Sequence, residues 1–556
     1  MKTKSTISFL MLLSILFVFN CNHLCAQENA INIPDKQGTT IKGAILCDGV
    51  GIPDIRVSDG VITTTTDKNG YYWLPSKKHH GYVFYTIPGN YQPISVSNAT
   101  PAFWSLLTKD NKTCEQHDFR LKEVNNDNYK LIVAADMHLA NRKPSSTDDM
   151  NQFRNGFIDE VTPFIKEQEL PIYTLVLGDM TWDYFWYSNN FGPKEYVQTV
   201  YDFPSPMFHV IGNHDYDPYV AEDDFKAEVK YKKALGPTYY SMNIGKVHYI
   251  ILDNMKFINI GGKDGKLGKR NYSIEISDIQ KQWLKEDLKA IKDKSTPIIA
   301  AFHCPASQNT NPSFEAKALK GKDAEVAAFH KLFSEFSDVQ FMSGHTHVNA
   351  NIEYNTNISM EHNIAAICET WWWSGKLSHF NVSKDGTPSG YKVFDIDDKN
   401  IKWYYKGINN DRNTQFCAYD MNEVKALFSS DTVKTNMEMT NRGNNDELLE
   451  LPVNSVLLNI WDYDSKWKIS VKENGKPLDT ERILVRDPNH RLYFESTYID
   501  NFGKVPNKSY WSAKSSHMFL VKTQSPTSSL EIIVTDRFGN EFKETMIRPK
   551  KMTASF

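Results

Sequence analysis

Two side chains suited to binding a metal and moving a proton stand together at Gly212-Asn213-His214-Asp215, just past the apolar run 207–211. An Asn amide oxygen ligates a cation without adding charge, and a neighbouring His left free of metal serves as acid or base. Four further blocks carry chemistry of the same kind. Asp136-Met137-His138 follows residues 131–135, and in extended chain its alternate side chains point the same way, bringing a carboxylate and an imidazole together. Gly178-Asp179 follows 173–177, with Asp183 four residues later. A strand-end carboxylate there has two oxygens with which to bridge two cations. His303 follows 298–301 and precedes Cys304-Pro305. Gly344-His345-Thr346-His347 follows 339–342, and two imidazoles one residue apart, released by a glycine from a buried strand, face one metal pair. Taken singly, each block is ordinary turn or surface chemistry.

Their order is what carries weight. Apolar runs at 131–135, 173–177, 207–211, 247–252, 298–301 and 339–342 alternate with helical patterns at 152–168, 223–234, 277–293 and 324–336. Ser277 with Gln280 three residues on predicts a capping box at the start of the third helix. Such alternation predicts an α/β layered domain whose sheet is covered on both faces. Each block then sits at the C-terminal end of a predicted strand, the edge where open α/β sheets bind ligands. Five blocks at one edge supply three carboxylates, one amide and five of the sixteen His.

The flanks read as β. Residues 39–122 hold β-branched runs and the tight turn Asp67-Lys68-Asn69-Gly70, and resemble a carboxypeptidase-regulatory-like sandwich. His79-His80 lies there on a Lys-rich loop, as a solvated pair or a metal ligand. From about residue 397 short apolar runs and turns return, predicting a second sandwich, with the polar stretch 436–447 as a loop. A net charge of −4 with mixed signs marks neither a nucleic-acid nor a polybasic membrane surface. Lys2 and Lys4 precede an apolar core at 9–19, and Ala26-Gln27 offers a cleavage point, the pattern of an export signal. Lipidation at Cys21 is the alternative. No other run is long and apolar enough to span a bilayer. Cys47, Cys114, Cys304, Cys368 and Cys417 remain, too scattered for a disulfide framework, with a Cys47–Cys114 pair left open.

Through Asp136-x-His138, Gly178-Asp179, Gly212-Asn213-His214-Asp215, His303 and Gly344-His345-x-His347, the chain resembles the calcineurin-like metallophosphoesterase family, in an exported bacterial multidomain subgroup. The resemblance spans about residues 129–385. It implies a four-layer αββα domain of the α/β class, flanked by N- and C-terminal β-sandwiches, divided as 1–26 signal, 27–125, 126–390 and 391–556. It implies Asp136, His138 and His347 on one metal, Asn213, His303 and His345 on the other, and Asp179 bridging. His214 would be the unligated acid, with Asp215 orienting it.

The chemistry follows from charge. Two divalent cations outweigh two carboxylates, attract phosphate oxygens, clamp an in-line displacement and acidify water to a hydroxide nucleophile. Residue 182 is Trp where the purple acid phosphatases of this superfamily place a metal-binding Tyr, which argues against a ferric-tyrosinate centre. Mn²⁺, Fe²⁺ and Zn²⁺ all suit the mixed N/O donors. The expected activity is hydrolysis of a phosphomonoester or phosphodiester. The competing reading is a surface binding or adhesion module on the same scaffold, against which the complete ligand set stands. Trp371-Trp372-Trp373 reads either as a packing seam to the C-terminal domain or as a platform for a base, sugar or acyl group.

Overall fold

The computed structural model describes residues 31–221, 223–260, 265, 269–444 and 446–556. The expected signal segment, its cleavage point and Cys21 lie outside the described residues. Among those described, no helix is long and apolar enough to cross a membrane.

The central strands, in chain order, are β1 (Asn128–Ala134), β2 (Ile172–Val176), β3 (Met207–His209), β4 (Tyr240–Ile244) and β5 (Val247–Ile251). The helix α1 (Asp278–Ala290) leads to β6 (Ile298–Ala301), and α2 (Asp323–Lys331) leads to β7 (Val339–Ser343). Then come β8 (Ala350–Glu353), β9 (Ile358–Asn363), β10 (Gly390–Asp397) and β11 (Asn400–Gly407).

They form two mixed sheets. The first runs β3-β2-β1-β10-β11, with β1, β2 and β3 parallel and β10 and β11 antiparallel additions. The second runs β4-β5-β6-β7-β9-β8, its middle four strands parallel. Period-two alternation explains how β1 sits between layers. Leu131 and Val133 share a core with Tyr249 and Ile251 of the second sheet, whereas Ile132 and Ala134 pack on Phe153, Phe157 and Val161 of the covering helices. The Tyr129 and Tyr249 hydroxyls meet across the two sheets at 2.6 Å. On the far side, Trp283 and Leu284 of α1 join the second sheet's core, and Phe329 of α2 lies on Phe302 and Phe341. This is the four-layer αββα arrangement.

Several local expectations change. The helix predicted over 152–168 starts at Asp149 and widens through Arg154–Ile158. That over 223–234 divides into Asp224–Ala227 and Val229–Leu235. Ser277 Oγ accepts from Gln280 N, but the Gln280 amide pairs instead with the Asp253 backbone at 2.9 and 2.7 Å, so half the capping box is absent. The stretch 436–447 is not a loop throughout. Its first residues belong to the helix Asp431–Thr440, because Val433, Met437 and Thr440 fall on one face and Met437 packs with Phe428 and Leu448.

Both flanks dock firmly. In the N-terminal module Ile41–Cys47 pairs antiparallel with Tyr71–Leu74 and parallel with Phe119–Glu123. This module reaches the core through Tyr239 Oη donating to Gly60 O at 2.6 Å. Cys47 and Cys114 are unpaired, as are the other described cysteines. At the C-terminal side β10 pairs with β1 over Asn128–Val133, placing residues 391–407 in the first sheet rather than in the C-terminal module. Two four-stranded sheets follow, joined to the centre by the buried Lys392–Asp462 ion pair at 2.7 Å and by Asn349 Nδ2 donating to Trp461 O at 2.6 Å.

Candidate metal centre

The loops leaving β1, β2, β3, β6 and β7 converge at the strands' C-terminal ends and bring all seven expected ligands together. They do so by a route that extended chain does not supply. Asp136 and His138 are both left-handed, at φ 54° and 44°, so the expected convergence by strand alternation is replaced by two turns in the wrong-handed region. Asp179 (52°), His345 (69°) and His347 (55°) share that conformation. A left-handed L-residue costs about 1–2 kcal/mol and persists where the surroundings over-determine it. Here the loops hold one another: Asp136 N donates to Gly178 O at 3.1 Å, His138 N to Asp179 O at 2.9 Å and Gly344 N to His303 O at 2.9 Å.

Each carboxylate is anchored by one oxygen and offers the other. Asp136 Oδ2 accepts from His345 N at 2.7 Å, leaving Oδ1 buried without a hydrogen bond, 3.5 Å from His347 Nε2 and 3.7 Å from His138 Nε2. Asp179 Oδ1 accepts from His214 N at 2.7 Å, and Oδ2 lies 3.6 Å from His138 Nε2 and 3.2 Å from His303 Nε2. His303 Nε2 is 3.2 Å from both Asn213 Oδ1 and His345 Nδ1, while its Nδ1 is held 2.7 Å from Leu177 O. Two donor clusters thus meet at Asp179 Oδ2. One holds Asp136, His138 and His347; the other holds Asn213, His303 and His345.

The electrostatics fit cations in both clusters. Burial pushes His138 down to about 3, and burial with the nearby His303 does the same to His345, leaving neutral imidazoles with lone pairs to share. Burial would raise Asp179, but the imidazoles of His303 and His214 hold it well below the usual carboxylate range. Burial lowers His303 too, yet the Asp179 carboxylate outweighs it and lifts His303 to about 9, so a cation there competes with a proton. An orphaned carboxylate oxygen amid close-packed imidazole nitrogens is a donor set built for divalent metal.

His214 stands beside these clusters, and its partner differs from the expected one. Its Nδ1 is 2.6 Å from Asp183 Oδ1. Asp215 instead accepts from Thr181 N at 3.1 Å and Gly212 N at 3.0 Å, locking two loops together, and burial plus the Asp179 charge raise it to about 7. The reason is geometric: adjacent residues point apart, and the loop at Thr181–Asp183 passes where the imidazole lies. The sequence already placed Asp183 near the second block without giving it a role.

Other neighbours are invisible to local spacing. Cys368 Sγ is 3.6 Å from His347 Nδ1, and Tyr272 Oη is 2.8 Å from His345 Nε2. The tryptophan run divides. Trp371 packs on His138 and His347, Trp372 is core and donates to Met137 O at 2.8 Å, and Trp373 meets Tyr498 and Phe502 of the C-terminal domain. The seam reading therefore holds for Trp373, while Trp371 lies against the imidazoles of the centre. His79-His80 takes no part; the pair packs on Phe225.

Two predictions arise from this packing. A Cβ at Gly212 would fall 2.3 Å from both Asp179 N and Asp179 Oδ1, where backbone cannot yield. Gly212→Ala should displace the shared ligand, lowering metal content and cutting turnover at least about tenfold, since misplacements near 1 Å cost up to about 10². Unchanged metal stoichiometry and kcat would refute it. Beneath Trp371, buried Glu369 accepts from Gly375 N at 2.6 Å and from Ser374 Oγ, and burial pushes it up to about 8. Unfolded glutamate titrates near about 4.3. The folded chain therefore keeps a proton that the unfolded chain sheds, and stability falls as pH rises from the unfolded value through the folded one. Glu369→Gln should flatten this loss by on the order of a few kcal/mol, read from urea midpoints between about pH 5 and 9. An unaltered slope would count against it.

Models of the calcineurin-like phosphoesterase match residues 129–349, of its N-terminal part residues 39–124, and of its C-terminal part residues 361–542. No curated protein matches the chain. Solved structures with a similar fold include the GAP50 anchor of the inner membrane complex of Plasmodium, at 13% identity and TM-score 0.31, covering 50% of this chain and 84% of that one. A putative 5'-nucleotidase from Staphylococcus aureus matches at 12% identity and TM-score 0.28, covering 50% of this chain and 54% of its own. Vps29 from Entamoeba histolytica, complexed with Zn²⁺, matches at 11% identity and TM-score 0.22, covering 50% and 91%. With three models of one family spanning most of its length, the chain belongs to the calcineurin-like phosphoesterases and is a metal-dependent phosphoester hydrolase.

Proposed function

We propose that the protein is exported and hydrolyses a phosphomonoester or phosphodiester with two divalent ions held by Asp136, His138, Asp179, Asn213, His303, His345 and His347. One observation carries the reading: two donor clusters share Asp179 Oδ2, and His214 stands beside them with Nδ1 tied to Asp183. Bound there, a metal pair supplies Lewis acidity and an acidified water. The chain's own residues do the rest. Asp136 and Asp179 leave the centre net positive, which draws an anionic ester. Asp183, 2.6 Å from His214 Nδ1, holds the ring in place, so Nε2 is the atom that meets the leaving oxygen as acid or charge stabiliser. Asp215 and Thr181 hold the loop that carries His214.

Hydrolysis of p-nitrophenyl phosphate and bis-p-nitrophenyl phosphate by the metal-loaded protein tests this. Turnover of either, lost to a chelator and restored by Mn²⁺, Fe²⁺ or Zn²⁺, is the expected result, and the preferred ester separates the two substrate classes. Two bound metals with no turnover of these or of lipid, nucleotide and sugar phosphates would leave a binding module as the better reading. Export to the periplasm or the cell surface is supported by Lys2, Lys4 and the apolar run 9–19 ahead of Ala26-Gln27. Sequencing the purified protein's N-terminus should find Gln27 first; an intact Met1 would overturn export, and a lipidated Cys21 would move the cleavage point.

A further inference from the structure

Trp371 is placed by the most strained segment near the centre. Glu369, Trp371 and Trp372 have φ of 52°, 57° and 67°, three left-handed side-chain-bearing residues within four positions. Bulky residues resist that region, so the surroundings must hold them there. They do: Gln152 Nε2 donates to Trp372 O at 3.0 Å, Arg142 Nη2 to Trp371 O at 3.3 Å, and Thr370 Oγ1 to Val382 O at 2.9 Å. The outcome is an indole whose centroid lies 4.1 Å from that of His138, 4.6 Å from His347 and 5.7 Å from His214.

Trp182 completes a pair with it. The two indoles lie 4.8 Å apart at 39°, and Trp182 is 6.2 Å from His214. The Arg142 guanidinium sits 4.8 Å over the Trp182 ring, and Tyr510 of the C-terminal domain is 5.8 Å from Trp371. Both tryptophans are half-buried rather than enclosed. Their polar edges stand out further. The Nε1 atoms of Trp182 and Trp371 are both buried without a hydrogen-bond partner. Other tryptophans in this region are satisfied: Trp186 donates to Thr181 Oγ1 at 2.9 Å and Trp372 to Met137 O at 2.8 Å. Two buried donors left open beside a centre for phosphate chemistry call for an acceptor that arrives with the substrate.

Resting on the phosphoester-hydrolase reading, we propose that Trp182 and Trp371 form a ring-binding subsite on the leaving-group side of the centre. It selects esters whose leaving group carries a ring. The ring packs against the indole faces next to His214, which serves the leaving oxygen, and the two indole N–H groups donate to oxygens of the ester. An indole face accepts a base, an aryl group or the apolar face of a sugar, so the commitment is to a ring and not to one of these.

Cyclohexylmethyl phosphate and ethyl phosphate, or the methyl diesters of the same alcohols if diesters are what the enzyme takes, are the probes. The alcohols have similar acidity, so the ratio of kcat/KM reports the ring and not the leaving-group chemistry. Full-length, metal-loaded wild type should favour the ring ester by about tenfold or more, and Trp182→Ala and Trp371→Ala should each bring the ratio below about threefold with metal content unchanged. The Phe variants keep a ring face and lose the N–H. They should retain most of the ratio while kcat/KM falls about fivefold on both esters. Equal kcat/KM for the two esters in the wild type, or a ratio that survives in both Ala variants, overturns the subsite. Phe variants equal to wild type on both esters overturn the N–H contacts. If an Ala variant does not fold, the wild-type ratio and the Phe variants decide. A wild type that cleaves p-nitrophenyl esters without ring preference fails this proposal alone, whereas one that cleaves no ester fails the hydrolase reading beneath it.

Discussion

Asp179→Ala is expected to strip metal from both positions and lower kcat/KM by at least about a hundredfold, beyond the 10–100-fold typical of losing a mere supporting partner. Asp179 Oδ2 is the atom that both donor clusters approach, at 3.6 Å from His138 Nε2 and 3.2 Å from His303 Nε2. Removing it takes away one of two negative charges and the oxygen that both clusters share. It also frees His214 N, which Asp179 Oδ1 accepts at 2.7 Å. Asp179→Asn separates these effects, because an amide oxygen still accepts from His214 N while the charge is gone. If Asn folds normally by circular dichroism yet binds neither metal, the charge is what matters. Elemental analysis of each variant decides, and two metals retained in Asp179→Ala would sink the ligand assignment.

The second large effect concerns His214. His214→Ala should keep both metals, since its imidazole lies outside the proposed ligand sets, and lose turnover by about 10²–10⁴-fold, the usual worth of a positioned acid or base. Asp183→Asn should cost about tenfold, because the 2.6 Å contact to Nδ1 is the link that orients the imidazole. In the His214→Ala background the same change should cost little, since residues acting as one unit are not additive. Asp215→Asn should act differently, lowering stability through its contacts to Thr181 and Gly212. An Asp183→Asn enzyme with wild-type kcat, or one whose loss is undiminished without His214, would return Asp183 to a structural role.

Much of the centre was legible in the linear chain. Each ligand follows an apolar run, such runs become strands through local alternation and burial, and parallel strands line up their C-terminal ends. That logic alone puts Asp136, Asp179, Asn213, His303 and His345 at one edge, and the family resemblance supplies the pairing. It does not supply the backbone. The left-handed turns at Asp136, His138, Asp179, His345 and His347 oppose the residues' own preferences and exist because loops from different strands hydrogen-bond to one another.

Partner choice was likewise out of local reach. Asp215 is next to His214 in sequence, but Asp183, 31 positions away, is next to it in space. The same holds for Cys368 against His347 and for the three fates of Trp371, Trp372 and Trp373, which are set by what the second sheet and the C-terminal domain bring up against each indole. The boundary after β11 follows suit: β10 and β11 carry a pattern that fits either domain, and only pairing with β1 assigns them. Sequence alone thus determined which candidate residues gather and which strand ends display them, because burial and alternation act over a few residues. Tertiary structure decided handedness, partners and boundaries, because those depend on contacts between segments that the chain keeps far apart.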